Sequence, residues 1–349
     1  MGFVDQRKSG TISRRGFLIA AGGSLLGGGC VMTGGERWST GQADAIARRH
    51  GGRGWAAWER TSRVVAWQSG QEGPALSITK SLAALAASKA AGEGWLSDRE
   101  TVAATIREWN SDSRKSRITV GMLLQQTAGL EAGVAALYRN PADKGRNAVA
   151  LRAVDEPGQV FRYGPACWEV LAELMRRKLA AQGDSLEGFL HRAVMSPLGL
   201  SSPKWRSDGK GRFYLSTGAE LSVEELGKLG RAIAALLRGE SAGGIRAGHF
   251  AAMTRPSAVN PTFGGGLWRN VNARKSGAVE IEVEDSLDPP RGSEFWRSAC
   301  LSTKHPADLI ALIGSSGRRV FIWPSQDRVV ARLGVAGSWK DRPFLAALA

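Results

Sequence analysis

The chain has 349 residues, 43% hydrophobic and 23% charged, which is the balance of an ordinary globular protein with room for one large domain or two modest ones. Its formal charge is +15, but the Lys and Arg residues are scattered and form no dense run; this reads as a solvated basic surface and argues against a nucleic-acid partner. The four histidines and three cysteines show no metal-ligand or paired spacing, and His-Glu-x-x-His, Gly-x-Ser-x-Gly and the phosphate-loop pattern are absent, so a zinc hydrolase, an α/β-hydrolase and a P-loop NTPase are disfavoured, and no metal or cofactor is expected.

The first thirty residues read as an address. Arg14-Arg15 followed by the short apolar run Phe17–Leu26 resembles a twin-arginine export signal, and the run is too short to cross a bilayer as a stable helix. It closes on small residues and Cys30, which resembles a lipoprotein processing site, although Gly27 stands where such sites usually carry Leu. The expectation is an exported, envelope or periplasmic protein anchored to the membrane by a lipid on Cys30. Residues 1–29 carry a net +3, so the remainder keeps +12, which suits anionic lipid headgroups or wall polymers as neighbours. Residues 31–41 read as a tether.

Beyond it, residues 42–50 form a short amphipathic helix, and "GWAAWERTSRVVAWQSG" alternates as two strands around a turn near Glu59–Ser62. "SITKSLAALAASKAAGEG" is an Ala-rich buried helix stopped by Gly92 and Gly94. Helical patterns then dominate to about Leu237. They include Ile118–Leu130 closing on Gly129, Tyr163–Gly183 with Pro165 suited to the first turn, and Val223–Gly239. Strands return after residue 262 in "GGGLWRN", "AVEIEVED", "DLIALIGSS", "RRVFIWPS" and "RVVARLG", and "PFLAALA" ends the chain as a helix. This predicts an α+β fold: an antiparallel β-sheet flanked by helices and built from both chain ends (42–97 and 238–349), with an all-helical insertion over 98–237.

Ser-x-x-Lys occurs at Ser77/Lys80, Ser201/Lys204 and Ser207/Lys210, and only the first opens an apolar helix. Residues three apart share a helix face, so Lys80 lies beside Ser77 and, if buried and neutral, can act as its base; helix N-terminal N–H groups can receive an oxyanion. The plain alternative is an N-capping serine beside a surface lysine.

Seven landmarks in order decide between them: Ser77-x-x-Lys80, "GEGWLS", "ITVGMLLQQTAGL", "EPGQVFRYGPACWEVLAEL", "SPLGLSS", "FGGGLWRN" and "GSSGRRVFIWPSQDRVVARLG". Together they resemble the serine β-lactamase and penicillin-binding-protein superfamily, in its class C-like branch with family VIII esterases, D-aminopeptidases and nylon-oligomer hydrolases. The resemblance implies the same split α+β fold and a serine hydrolase. It makes Ser77 the acyl-enzyme nucleophile and Lys80 its base. Tyr163, in "PGQVFRYGP", becomes the proton-exchanging tyrosine, with Pro165 where the family has Asn. A literal Tyr-x-Asn at Tyr138–Asn140 is read instead as a polar surface loop. Ser315-Ser316-Gly317 takes the place of the Lys-Thr-Gly strand, Lys275-Ser276-Gly277 being a decoy. The backbone N–H groups of Ser77 and Arg318 form the oxyanion hole. Trp268 resembles an aromatic found near the family's substrate cleft, with ordinary packing as the alternative, and Gln126 is read as structural. The implied partner is a small ester or amide, including cell-wall-derived peptides. The competing reading is a catalytically weak or inactive envelope binding protein that keeps the fold.

Overall fold

The computed structural model describes residues 38–50, 52–201, 204–335 and 337–349. Helix α1 (Gly41–Arg49) leads into β1 (Gly54–Glu59) and β2 (Ser62–Trp67), with the turn where alternation ends. After β3 (Glu72–Pro74), a single 3₁₀ turn over Leu76–Ile78 feeds α2 (Thr79–Gly92). The middle of the chain holds the short helices α3 (Val120–Leu124), α4 (Val134–Tyr138) and α5 (Lys144–Ala150), then the long α6 (Ala166–Ala180) and α7 (Leu186–Leu190). Strand β4 (Glu220–Ser222) pairs with β3, so this stretch is not wholly helical. Helix α8 (Val223–Leu237) starts at a capping box in which Ser222 and Glu225 satisfy each other's backbone N–H, and α9 (Ala247–Met253) follows.

The hairpin β5 (Phe263–Gly264) and β6 (Leu267–Arg269) precedes β7 (Val279–Glu280), α10 (Ser293–Ser298) and β8 (Ala299–Cys300). Strands β9 (Ile310–Gly314), β10 (Arg318–Trp323) and β11 (Arg328–Leu333) and helix α11 (Asp341–Ala346) complete the chain. The main sheet has seven strands in the order β2-β1-β11-β10-β9-β6-β5, and every neighbouring pair is antiparallel. First and last segments therefore meet at β1–β11. Helix α8 packs on β1, β10 and β11, and α2 packs against α9. Strands β9 to β11 are buried along almost their whole length, which is why they read as continuous apolar runs. Helix α2 is enclosed from Thr79 to Ser88, so its composition is apolar all round.

Two expected elements differ. The helix anticipated over 118–130 is only α3, because Gln126 (φ +54°) and Gly129 (φ +74°) adopt left-handed backbone that no helix continues. "AVEIEVED" contributes just the two residues of β7; its acids serve instead as acceptors, Glu282 for the Asp341 and Arg342 N–H groups and Glu284 for that of Ser316. The export signal, the tether up to residue 37 and Cys30 lie outside the described residues. Cys167 and Cys300 are free, buried thiols.

Candidate active site

The turn that opens α2 builds the centre of the site. Leu76 sits at φ +50°, an uncommon conformation for a branched side chain, and presents Ser77 at the head of the helix. One turn on, the Lys80 ammonium is buried at 1% exposure and donates to Ser77 Oγ and to the Ser216 carbonyl, both at 2.8 Å. Burial brings the Lys80 pKa down to about 7, with the negative charge of Glu169 opposing it. The Ser201/Lys204 and Ser207/Lys210 pairs are exposed.

Glu169, on α6, organises the floor. It is fully buried, pairs with Lys144 Nζ at 2.7 Å, and accepts from the Ser216 N–H at 2.9 Å and the Ser216 hydroxyl at 2.5 Å. The carbonyl of that same Ser216 holds Lys80, so α5, α6 and the segment before β4 jointly fix the lysine.

Tyr163 turns its hydroxyl to Ser77, and its ring lies 5.0 Å from Lys80 Nζ. Enclosure pushes its pKa well above the ordinary phenol value, so it stays protonated at neutral pH. The turn carrying it is held by Gln126, whose Oε1 accepts from the Gly164 N–H at 2.7 Å. That contact is the structural role expected of Gln126, which makes it from a left-handed backbone at φ +54°. Pro165 caps α6 and lines the cavity without any side-chain donor or acceptor.

A cavity of about 340 Å³ opens over this group, lined by Ser77, Lys80, Tyr163, Pro165 and Ser315 and by Tyr138, Thr217 and Arg206 from other segments. Sequence reasoning set Tyr138 aside as part of a surface loop, and the structure corrects this. Leu137 is buried and anchors the end of α4, which turns Tyr138 inward with its hydroxyl toward Ser216 and Thr217. Burial raises the Tyr138 pKa to about 12. The loop's Asn140 accepts from Arg206 instead of facing Lys80. An aromatic residue closing the apolar run Val134–Leu137 was the available signal.

Of the two readings of Trp268, packing fits: it is 2% exposed and lies outside the cavity lining, behind Tyr163 at a ring separation of 5.9 Å and against Phe263 at 4.8 Å. It supports the tyrosine, which is what a bulky ring facing the core does at that position of a hairpin.

The turn between β9 and β10 brings Ser315 into the cavity, with Ser316 (φ +63°) and Gly317 (φ +77°) making the reversal. Glu284 accepts from the Ser316 N–H at 3.1 Å, and Arg319 pairs with Glu284 at 2.6 Å and with Asp341 at 2.8 Å. The Arg318 guanidinium donates to the Pro74 carbonyl at 2.5 Å and the Ser315 carbonyl at 2.9 Å, tying this turn to the segment entering Ser77. Gly314 completes the approach: a Cβ there would lie 2.4 Å from the Ala75 carbonyl oxygen. The segments carrying the Ser77 and Arg318 N–H groups are thus locked side by side. Lys275-Ser276-Gly277 is an exposed turn outside the cavity.

Comparison with known proteins agrees with this geometry. The β-lactamase family model matches residues 38–267, about two thirds of the chain. No curated relative matches. Among solved structures the fold is similar to a β-lactamase from Mycobacterium bovis (20% identity, TM-score 0.57, covering 87% of this chain and 96% of that one). It is similar to EstCE1, a hydrolase with promiscuous acyltransferase activity (15% identity, TM-score 0.62, covering 88% and 98%). It also resembles an octameric penicillin-binding protein homologue from Pyrococcus abyssi (17% identity, TM-score 0.61, covering 89% and 77%). The family match over residues 38–267, together with a Ser-x-x-Lys helix whose first turn packs on β9 of a seven-stranded antiparallel sheet, places this chain in the β-lactamase family of serine hydrolases.

Proposed function

We propose that the protein is an exported serine hydrolase that forms an acyl-enzyme on Ser77 and acts on esters or small amides. The observation that carries this reading is the 2.8 Å contact between Lys80 Nζ and Ser77 Oγ in a setting where burial lowers the lysine to about 7. A serine hydroxyl needs a base, and a lysine neutral near physiological pH is one. In its neutral form Lys80 accepts the Ser77 proton as Oγ attacks the substrate carbonyl. The Ser77 N–H, in the first turn and without a carbonyl four residues back, and the Arg318 N–H receive the developing oxyanion. Tyr163, protonated and facing Ser77, passes a proton to the departing oxygen or nitrogen and recovers it from Lys80. Water then attacks the acyl-enzyme with the same groups acting in reverse. The acyltransferase activity named for EstCE1 supports a covalent acyl intermediate on this fold.

Intact-mass measurement after incubation with a fluorophosphonate tests the nucleophile. One adduct that maps to Ser77 and disappears in Ser77→Ala is expected, together with loss of nitrophenyl-ester hydrolysis in that variant. A folded protein that takes up no adduct would favour the inactive binding protein, the reading that Pro165 and Ser315 keep open. Export and lipidation of Cys30, with cell-wall-derived compounds as neighbours and substrates, rest on the paired arginines and the apolar run that follows. Cell fractionation of Arg14→Lys/Arg15→Lys should find the protein retained in the cytoplasm; an unchanged envelope location refutes the signal.

A further inference from the structure

A buried chain of charge runs away from the nucleophile, and its last member has no part in the acyl-enzyme steps. Lys80 Nζ bonds the Ser216 carbonyl, the Ser216 N–H and hydroxyl bond Glu169 Oε1, and Glu169 Oε2 pairs with Lys144 Nζ at 2.7 Å. Lys144 is 3% exposed and lies outside the cavity lining, so it meets neither substrate nor Ser77. A buried lysine is costly unless it is paired and held. Here α5 packs on α6, the Lys144 N–H donates to Asp208 Oδ2 at 3.0 Å, and the ammonium lies 5.3 Å from the Tyr214 ring.

Glu169 anchors the segment that presents the Ser216 carbonyl, but a carboxylate there also favours the ammonium form of Lys80. A base has to lose that proton near neutrality. Tyr163 and Tyr138, the phenols nearest the lysine and Ser216, stay neutral. The other charged groups packed around Lys80 are engaged elsewhere. On the β9–β10 side Arg319 pairs with Glu284, and Arg318 bonds the Pro74 and Ser315 carbonyls. Arg269 of the β5–β6 hairpin bonds three backbone carbonyls, and Arg206 bonds the Tyr138 carbonyl and Asn140. His249 of α9 lies against Gly92 at the far end of α2. Around Lys144, Asp143 pairs with Arg212 and Lys210, Glu173 pairs with Arg176 and Arg177, and Glu187 of α7 accepts the Phe213 N–H. Among the described residues, Lys144 is thus the cation paired with Glu169.

We propose that Lys144 is a positioning residue for the reaction: by cancelling the charge of Glu169, it lets that carboxylate clamp the Ser216 segment beneath Lys80 without holding a proton on the base. This rests on the acyl-enzyme reading and adds the residue that sets the pH at which Ser77 becomes reactive.

The test is the pH profile of the rate at which a fluorophosphonate labels Ser77, followed by intact mass in the wild-type protein, Lys144→Met, Glu169→Gln and the double variant. Neutral Lys80 is the reactive form, so added negative charge beside it moves the midpoint up and added positive charge moves it down. Lys144→Met leaves Glu169 uncompensated, and the midpoint should rise by about one pH unit, the lower end of what a close opposite charge does. Glu169→Gln keeps an acceptor for the Ser216 N–H and leaves the Lys144 charge uncompensated, so the midpoint should fall. The double variant carries neither charge and should return close to the wild-type midpoint. These shifts should persist in half-molar salt, because a buried pair is little screened. Thermal melting identifies the folded variants. Loss of one partner of a buried pair can unfold a protein; if one single variant is lost in this way, the other carries the test with its own sign. Midpoints that stay put in the folded single variants, that move in the same direction in both, or that move only at low salt overturn the proposal and leave Lys144 a packing role alone. Such a result beside a normal wild-type profile sinks this proposal and spares the acyl-enzyme reading. A wild-type protein that takes up no label, or takes it up at a rate independent of pH, sinks the acyl-enzyme reading and this proposal with it.

Discussion

Lys80 and the two tyrosines beside it divide the proton chemistry by their surroundings. Burial moves the lysine down to about 7 and both phenols upward, so near neutrality the lysine is the group that can be deprotonated and the tyrosines remain donors. The active form needs Lys80 neutral. Ester kcat/KM should therefore rise with pH and level off, with a midpoint near 7 and little activity below pH 6; a rate that is flat from pH 5 to 9 would show that Lys80 is not the base. Between the tyrosines, position decides. The Tyr163 hydroxyl faces Ser77, whereas that of Tyr138 faces Ser216 and Thr217. Tyr163→Phe keeps the ring and removes only the hydroxyl, so a loss of about 10²–10⁴-fold is expected, the usual contribution of a general acid–base group. Tyr138→Phe should cost only a few-fold, through cavity shape and the Ser216 contact. A larger loss at Tyr138 in ester turnover would move the proton relay to that residue.

The elements place these residues by close backbone approach, and the glycines show where. Gly266, in the β5–β6 hairpin at φ +78°, has no room for a side chain: a Cβ would stand 2.8 Å from the Ser81 nitrogen and 2.9 Å from the Lys80 carbonyl carbon. The Ser81 hydroxyl donates to the Gly266 carbonyl across the same contact at 3.1 Å. Gly266→Ala adds left-handed strain of about 1–2 kcal/mol and pushes α2 away at the lysine itself. A lower melting temperature together with disproportionate loss of ester turnover is expected; unchanged turnover would mean that the hairpin does not set the Lys80 position. The same level explains what could be read from the chain beforehand. Alternation located β1 and β2, continuous apolar runs located β9 to β11, and breaker residues bounded α2 and α8, because local pattern and burial agree there. The Ile118–Leu130 pattern failed where Gln126 leaves the helix to hold the Gly164 N–H, a tertiary bond that periodicity does not register. "AVEIEVED" alternates as a strand should, yet its acids bind the turn before β10 and the start of α11. Ser77, Lys80 and Tyr163 were legible through spacing and family landmarks. Tyr138 and Arg206 were not, since only the fold brings the end of α4 and the loop before β4 to the cavity.

At the scale of the whole molecule, a net charge of +15 draws anions toward a cavity whose lining, among the described residues, includes Lys80 and Arg206 and no acid. That field alone does not predict β-lactam turnover. A β-lactam carboxylate is fixed on its ring, so its place relative to the attacked carbonyl is set, and the family's lactamases meet it at the Lys-Thr-Gly strand. Ser315 puts a neutral hydroxyl there, and Arg318 and Arg319 are bound to Pro74, Ser315, Glu284 and Asp341. Pro165 removes the side-chain amide that would hold the drug's acylamino group. Each missing charge-assisted or amide contact costs about 1–3 kcal/mol, and two together lower kcat/KM by roughly two to four powers of ten. Arg206 does not replace them: it lines the cavity from the loop before β4, and its Nη2 is bonded to the Tyr138 carbonyl and Asn140. Small nitrophenyl esters need only Ser77, Lys80, Tyr163 and the two backbone donors. On one preparation, nitrocefin should therefore be turned over at least a hundred-fold less efficiently than nitrophenyl butyrate, the lower end of that estimate. A nitrocefin kcat/KM equal to or above the ester's would show that the β9–β10 turn and Pro165 do not exclude lactams.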